Sequence, residues 1–295
     1  MSEPPTRVAV IGPGRVGTSL ALALPDEYRL VAVAGRGAEA LARFAEQVGP
    51  VPVRSAAEAA AAADLVLLTV GDDALDALVA ELALADVAAP GSRWLHTAGS
   101  RGVEALRPLR LAGARVAACH PAVSFPDPAT GASRLPGAAW GVTAPPGEAG
   151  WAVELVADLG GVAFLVAEEA RTRYHLAMAL ASNATVAVTA LARDLLLGAG
   201  VTDPAALLRP IASTSVAGAA ERGAAALTGP VRRGDAGTVA AHVRELAVAL
   251  PEASAVYAEL SALALGYARR AGLEAEAAEA VARVLDDARA AAHGG

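Results

Sequence analysis

The sequence predicts an α/β protein in two parts: a doubly wound sheet of mainly parallel strands, then an all-helical half. Three observations predict this. Short apolar runs alternate with helical runs as far as residue 167, strand signals then stop, and a G-x-G-x-x-G stands between the first strand and the first helix.

The elements follow in order. "RVAVIG" (7–12) is a buried strand ending in glycine, and "RVGTSLALAL" (15–24) is helical. "YRLVAVAGR" (28–36) is a second strand, and "AEALARFAEQVG" (38–49) a helix closed by Gly49. The Ala-rich patch 56–63 is a short helix. "LVLLTV" within 63–73 is apolar throughout, as a strand covered on both faces must be. "SRWLHTAG" (92–99), "ARVAACHP" (114–121), "AAWGVTA" (138–144) and "GVAFLVA" (161–167) are further strands, with a helix near 147–159. From 168 the pattern is helical: 168–198, 203–227 either whole or broken at Pro210, 235–249, 252–271 and 274–292. Gly198 and Gly200 end one helix, and Asp203-Pro204 starts the next as N-cap and first helical residue. The domains expected are 1–167 and 168–295.

Composition narrows the function. The 295 residues are 55% hydrophobic but only 3% aromatic, so the core is built from Ala, Leu and Val. A net charge of −7 argues against nucleic acid or a membrane surface as partner. The single Cys119 excludes an internal disulfide and a Cys-based zinc site, and no metal site is expected. "MSEPPTR" lacks the apolar run of a signal peptide. The longest uncharged run, 174–192, is interrupted by His, Ser, Asn and Thr. The expectation is a cytoplasmic protein without a membrane span. All 24 basic residues are Arg, so any proton chemistry must be done without lysine.

"GPGRVG" comprises Gly12, Pro13, Gly14, Arg15, Val16 and Gly17. Strand, glycine turn and helix in that order form the dinucleotide fingerprint of a Rossmann-type domain. Gly12 makes the tight turn, Gly14 lets backbone approach a pyrophosphate, and Gly17 lets helix pack on strand. The helix N-terminus offers N–H groups to phosphate. The second strand ends in Gly35-Arg36, with no carboxylate for a ribose hydroxyl. Arg36 suits a 2′-phosphate, so NADP(H) is the cofactor expected. Val70, Gly71 and Asp72 end the third strand and should pass near the cofactor; Asp72 and Asp73 are expected to cap the next helix.

Three features are candidates for chemistry. In "HTAGSRG" (96–102), Gly99 and Ser100 either hold substrate or simply make a turn. In "CHP", His120 ends a strand and either faces the ligand crevice or bonds a loop carbonyl. In "RTRYHLAMALASN" (171–183), an ideal helix brings Arg171, His175 and Ser182 within about 20–40° of one another, with Asn183 about 80° from His175. That stripe either satisfies buried backbone or edges a substrate cleft.

The order of "GPGRVG", "AGR", "LVLLTVGDDAL", "HTAGSRGVEALRPL", "CHPAVSF", "RYHLAMALASNATVAVTALARDLL" and "LTGPVRRGDAGTV" strongly resembles bacterial proteins in which a Rossmann-like domain precedes domain of unknown function 2520. The resemblance implies an NADP-type oxidoreductase of unassigned substrate. More distantly the chain is similar to ketopantoate reductase, pyrroline-5-carboxylate reductase, prephenate dehydrogenase and β-hydroxyacid dehydrogenases. Ketopantoate reductase-like enzymes open their helical domain with a catalytic Lys followed at helical spacing by Asn; the comparable place here holds His175, with Ala179 one turn on and Asn183 two turns on, a departure that keeps a proton donor but changes its type. His120-Pro121 resembles the His-Pro of prephenate dehydrogenases, whose His meets a substrate hydroxyl. Thr228 and Arg233 of "LTGPVRRGD" either reach the substrate or belong to a helix-ending loop.

The reaction expected is reduction of a small carbonyl, first a ketopantoate-like keto acid, in a cleft between the domains. His175 or His120 gives the proton, Asn183, Ser100 and Ser182 orient the substrate, and Arg171 or Arg233 clamps a carboxylate. The alternatives are a cyclic imine reductase, a hydroxyacid dehydrogenase, or an NADP(H) sensor without turnover. A homodimer through the helical domain is expected from its relatives.

Overall fold

In the computed structural model, residues 4–293 are described. Residues 1–3 and 294–295, the outer ends of the two expected domains and part of the "MSEPPTR" stretch, lie outside the described residues. The chain forms two compact units, Met1–Ser182 and Asn183–Gly295.

The first unit is built on one sheet of seven strands in the order β2-β1-β3-β4-β5-β6-β7. The strands are β1 (Thr6–Ile11), β2 (Tyr28–Ala34), β3 (Leu65–Leu68), β4 (Arg93–His96), β5 (Arg115–Pro121), β6 (Ala139–Thr143) and β7 (Val162–Leu165). Between them lie α1 (Arg15–Ala23), α2 (Ala38–Val48), α3 (Ala56–Ala61), α4 (Asp72–Leu84), α5 (Arg107–Leu111), α6 (Pro128–Ser133) and α7 (Gly150–Asp158). The strand order reverses between β1 and β3, and a ligand crevice belongs at such a switch point, beyond the carboxyl ends of the strands.

Alternate strand residues feed two cores. Ile11, Ala34, Val66, Leu68, Trp94 and Val116 pack with Leu75, Val79 and Leu82 of α4. Val10, Val33, Leu65, Leu67 and Leu95 pack with Leu20 of α1, Phe44 of α2 and Trp151 and Leu155 of α7. Where both faces are covered a strand is apolar throughout, as in "LVLL" of β3, whose four residues are all buried.

Two strands depart from the parallel expectation, since β6 and β7 run parallel to each other and opposite to the other five. β6 runs antiparallel to β5, with Pro121 opposite Trp140. The chain leaving β5 turns through α6 and re-enters from the same edge of the sheet, so β6 must run backwards. Two short helices, α5 and α6, fall in segments where the sequence shows no helical period long enough to mark them.

The long apolar helix is not one regular rod. It consists of a 3-10 turn (Glu168–Ala170), α8 (Arg171–Ala179), a π-helical turn (Leu180–Ala184) and α9 (Thr185–Gly198). A π turn carries more residues per turn than an α-helix, so Ser182 and Asn183 are rotated away from the phase that a straight helix gives them. By length and composition alone, Glu168–Gly198 is apolar enough to cross a membrane, with a mean hydropathy of 1.4, and its apolar window is uncovered.

The second unit continues with α10 (Pro204–Arg222), α11 (Pro230–Arg233), α12 (Ala236–Ala249), α13 (Ser254–Arg270) and α14 (Ala275–His293). Asp203 caps α10 by accepting from the Ala206 N–H at 3.3 Å, with Pro204 at the first helical position. Pro210 does not break α10, which runs through it. Val231, Val239, Leu265, Ala278, Val281 and Leu285 form this unit's core.

Candidate functional site

The fingerprint turn follows β1 directly. Gly12 sits at φ +109°, in the region open to glycine, and a Cβ there would stand 2.7 Å from the Thr69 carbonyl carbon. Thr69, at the end of the β3 run, donates its hydroxyl to the Gly12 carbonyl at 2.7 Å and so ties the turn to β3. Gly17 lies against the same two groups: a Cβ would collide with the Gly12 carbonyl oxygen and Thr69 Oγ1. Gly14 is different. A side chain there would meet no atom within 4 Å, so its backbone faces open space.

That space is a cleft of about 810 Å³ at the carboxyl ends of β1, β2 and β3. Gly12, Pro13, Gly14, Gly35, Arg36, Val70 and Gly71 line it. Arg54 and Ser55 line it as well, and were not foreseen. Ser55 is the N-cap of α3 in a capping box with Glu58, and this fixes Arg54 one residue before the cap. The "SAAE" pattern was the available signal. Arg36 and Arg54 are both exposed, and residues 35–38, directly after β2, include no carboxylate. Asp73 and Glu81 sit on the α4 side of the cleft.

Asp72 and Asp73 do not cap α4. Gly71 is the N-cap and makes no side-chain bond, and the two aspartates occupy the first turn, where negative charge suits the helix dipole. Asp72 instead accepts the Ser100 hydroxyl at 3.0 Å. Arg15 is exposed at the start of α1 and Val16 packs against the second core.

A second cluster lies in the first unit around the β4 loop, β5, β6 and α8. Arg171 is 1% exposed. Its Nε donates to the Arg101 carbonyl at 2.8 Å, its Nη1 to the Gly141 carbonyl at 3.0 Å and its Nη2 to the Ala98 carbonyl at 3.0 Å. The guanidinium expected to clamp a carboxylate is spent on backbone. Glu168 adds a second tie, accepting from the Val103 N–H at 2.7 Å.

These ties bring His120 and His175 together. Their rings meet edge to face with centroids 5.7 Å apart. A Cβ on Gly99 would strike His175 Cδ2 and lie 2.9 Å from His120 Cδ2, so glycine there makes room for the pair. His120 Nδ1 is 3.0 Å from Tyr174 Oη, a partner the sequence did not single out. Burial, then the Arg171 charge and then His175, lower the His120 pKa to about 4, so its ring is neutral at neutral pH. His96 is fully buried and bonds the Gly102 carbonyl at 2.9 Å; burial lowers it also to about 4. Burial pushes the Cys119 thiol up to about 12, which removes it as a nucleophile at neutral pH.

The remaining expected residues are exposed. Ser182 ends the first unit, and Asn183 opens the second. In the second unit, Thr228 precedes α11 and Arg233 ends it, so "LTGPVRRGD" folds as a short helix between loops. Among the described residues, no three His, Cys, Asp or Glu side chains gather as metal ligands.

Residues 1–121 match the family model of the Rossmann-like domain, and residues 138–264 that of the Domain of unknown function (DUF2520). No curated protein matches the chain significantly. Among solved structures, a Bacteroides fragilis protein provisionally described as an NADP oxidoreductase aligns at TM-score 0.70 and 22% identity, over 88% of this chain and 98% of that one. An imine reductase from a Pseudomonas species aligns at 0.61 and 18%, over 98% and 96%. A reductive aminase from Aspergillus terreus, solved with NADPH and ethyl-5-oxohexanoate, aligns at 0.58 and 19%, over 98% and 95%. At these identities the likeness is one of fold.

Proposed function

Taking the chain as a Rossmann-like protein of the DUF2520 family, we propose that it is an NADP(H)-dependent oxidoreductase acting at a carbonyl or imine carbon. One observation carries this reading. The cleft at the switch point pairs the open Gly14 backbone with two arginines, Arg36 and Arg54, and has no carboxylate directly after β2. That combination suits a pyrophosphate and a 2′-phosphate and disfavours NAD(H).

Gly12 and Gly14 would hold the pyrophosphate beside the N-terminus of α1, and Arg36 and Arg54 the 2′-phosphate. Bound NADPH supplies a hydride. The chain's own chemistry is assigned to the histidine pair. His120, neutral at neutral pH, orients the substrate through a hydrogen bond. His175, half-exposed, exchanges the proton with solvent, a role worth about 10²- to 10⁴-fold in rate. Arg171 and Glu168 hold these groups and do not touch substrate. Asn183, Ser182, Thr228 and Arg233 carry no part of this reading.

The fold neighbours named for imines and for reductive amination favour C=N or C=O substrates in general. They give no support to a ketopantoate-like keto acid in particular, and the buried Arg171 has each of its three nitrogens on a backbone carbonyl. We also propose a cytoplasmic homodimer, supported by the exposed Val186, Val188, Leu207, Ile211 and Val216 of the second unit. The test is NADPH oxidation against a panel of cyclic imines, ketone–amine pairs and keto acids. Turnover with an imine or carbonyl is expected, and it should fall in His175→Ala. Tight NADPH binding with no turnover on any member would overturn the enzyme reading in favour of a sensor.

A further inference from the structure

Tyr174 and His120 come from α8 and β5, and they meet at a single short contact. Tyr174 Oη stands 3.0 Å from His120 Nδ1 and 3.5 Å from the His120 carbonyl oxygen. The rings are edge to face at 86°. Gly141 of β6 has no side chain, and a Cβ there would stand 2.6 Å from Tyr174 Oη, so the phenol is packed tightly in place.

A phenol has one proton to give, and a neutral imidazole has one nitrogen to receive it. If His120 carried its proton on Nδ1, that N–H would donate to the phenol oxygen, and the phenol hydrogen would be left with the carbonyl at 3.5 Å. If Nδ1 is bare, the phenol hydrogen itself goes to Nδ1 at 3.0 Å, the nearer of its two acceptors. Arg171 stands over the Tyr174 ring, 5.5 Å from its centroid. Its positive charge favours the phenol as a donor and opposes a second charge on the imidazole beside it. Burial raises the Tyr174 pKa and keeps the proton on the oxygen until it is shared.

We propose that Tyr174 is the positioning residue of His120: its phenol donates to Nδ1, fixes the ring proton on Nε2, and turns that N–H toward Gly99 as a neutral donor for the substrate. Nε2 lies 3.0 Å from where a Gly99 side chain would begin, next to His175. A fixed donor here selects a substrate that presents a lone pair at the reacting centre, a carbonyl oxygen or an imine nitrogen. It also divides the labour of the two histidines, His120 polarising and His175 exchanging the proton. This assignment of substrate rests on the oxidoreductase reading; the tautomer does not.

The experiment is long-range ¹H–¹⁵N correlation on ¹⁵N-histidine protein at pH 7 without substrate. The His120 signals are identified by their loss in His120→Gln. The expected spectrum has His120 with Nε2 protonated and the downfield resonance of a bare Nδ1. In Tyr174→Phe the two nitrogen shifts should move toward each other as the tautomers mix. A protonated Nδ1 in the wild-type protein would overturn the proposal, and so would a Tyr174→Phe spectrum unchanged at His120. If Tyr174→Phe does not fold, the wild-type spectrum alone decides. Failure of the reductase reading shows elsewhere, as absent NADPH binding or turnover, and leaves this spectrum unaltered.

Discussion

The Arg171 guanidinium, at the first residue of α8, donates to the Gly141 carbonyl of β6 at 3.0 Å, and its other donors hold the Ala98 and Arg101 carbonyls. The first unit runs past its last strand to Ser182. Arg171→Met keeps much of the bulk but leaves three carbonyls without a donor. It is expected to lower stability by about 3 kcal/mol, because buried groups stripped of a charged partner are costly. Chemical denaturation checks this, and a loss under about 1 kcal/mol would show that the tie is not a brace.

Gly99→Ala puts a Cβ against both imidazoles, 2.9 Å from His120 Cδ2 and closer to His175 Cδ2. The rings must part. Turnover is expected to fall about 100-fold, as it does for misplacements near an ångström, while the dissociation constant for NADPH stays within about twofold. Steady-state kinetics and calorimetry together check it, and equal losses in both would place Gly99 in the cofactor site.

His96 and His120 both have folded pKa values of about 4, below the 6.5 of a free imidazole. Between those values the unfolded chain binds protons that the folded chain refuses, so stability is full above about pH 6.5 and declines as pH falls toward 4. For the fully buried His96 the difference amounts to up to about 3 kcal/mol. Thermal melts across that window should show the decline, and His96→Asn should flatten it. A melting temperature independent of pH between 6.5 and 4.5 would contradict the buried, neutral state of both rings.

The exposed aliphatic residues of the second unit predict a dimer in solution. Val186→Glu with Ile211→Glu should halve the mass measured by light scattering. A wild-type monomer would remove the proposal.

Much of the fold was legible because its signals are local. Each strand of the first unit is an apolar run bounded by Gly, Pro or charge, and "GPGRVG" names its own turn. What was not legible is non-local. The reversed direction of β6 depends on which edge the chain re-enters from, and no residue in 139–143 encodes that. The π turn at Leu180–Ala184 looks in the sequence like a continuation of the α-helix, so the phase assigned to Ser182 and Asn183 was that of a straight rod. Arg171 and His175 were both visible as polar residues on an apolar helix. Only contacts across the first unit separate them, since the carbonyls that occupy Arg171 lie 30, 70 and 73 residues away in the chain. Tyr174 was not singled out, because the group that gives it a role, His120, lies 54 residues away in the chain.

The central claim is cofactor choice, and a calorimetric titration of the wild-type protein with NADPH and with NADH tests it most directly, with Arg36→Ala and Arg54→Ala alongside. NADPH should bind at least about 10-fold more tightly than NADH, and each arginine variant should lose about 10- to 100-fold in NADPH affinity with little change for NADH, the range expected for charge-assisted hydrogen bonds. Equal affinity for the two cofactors, or equal losses in the variants, would contradict it.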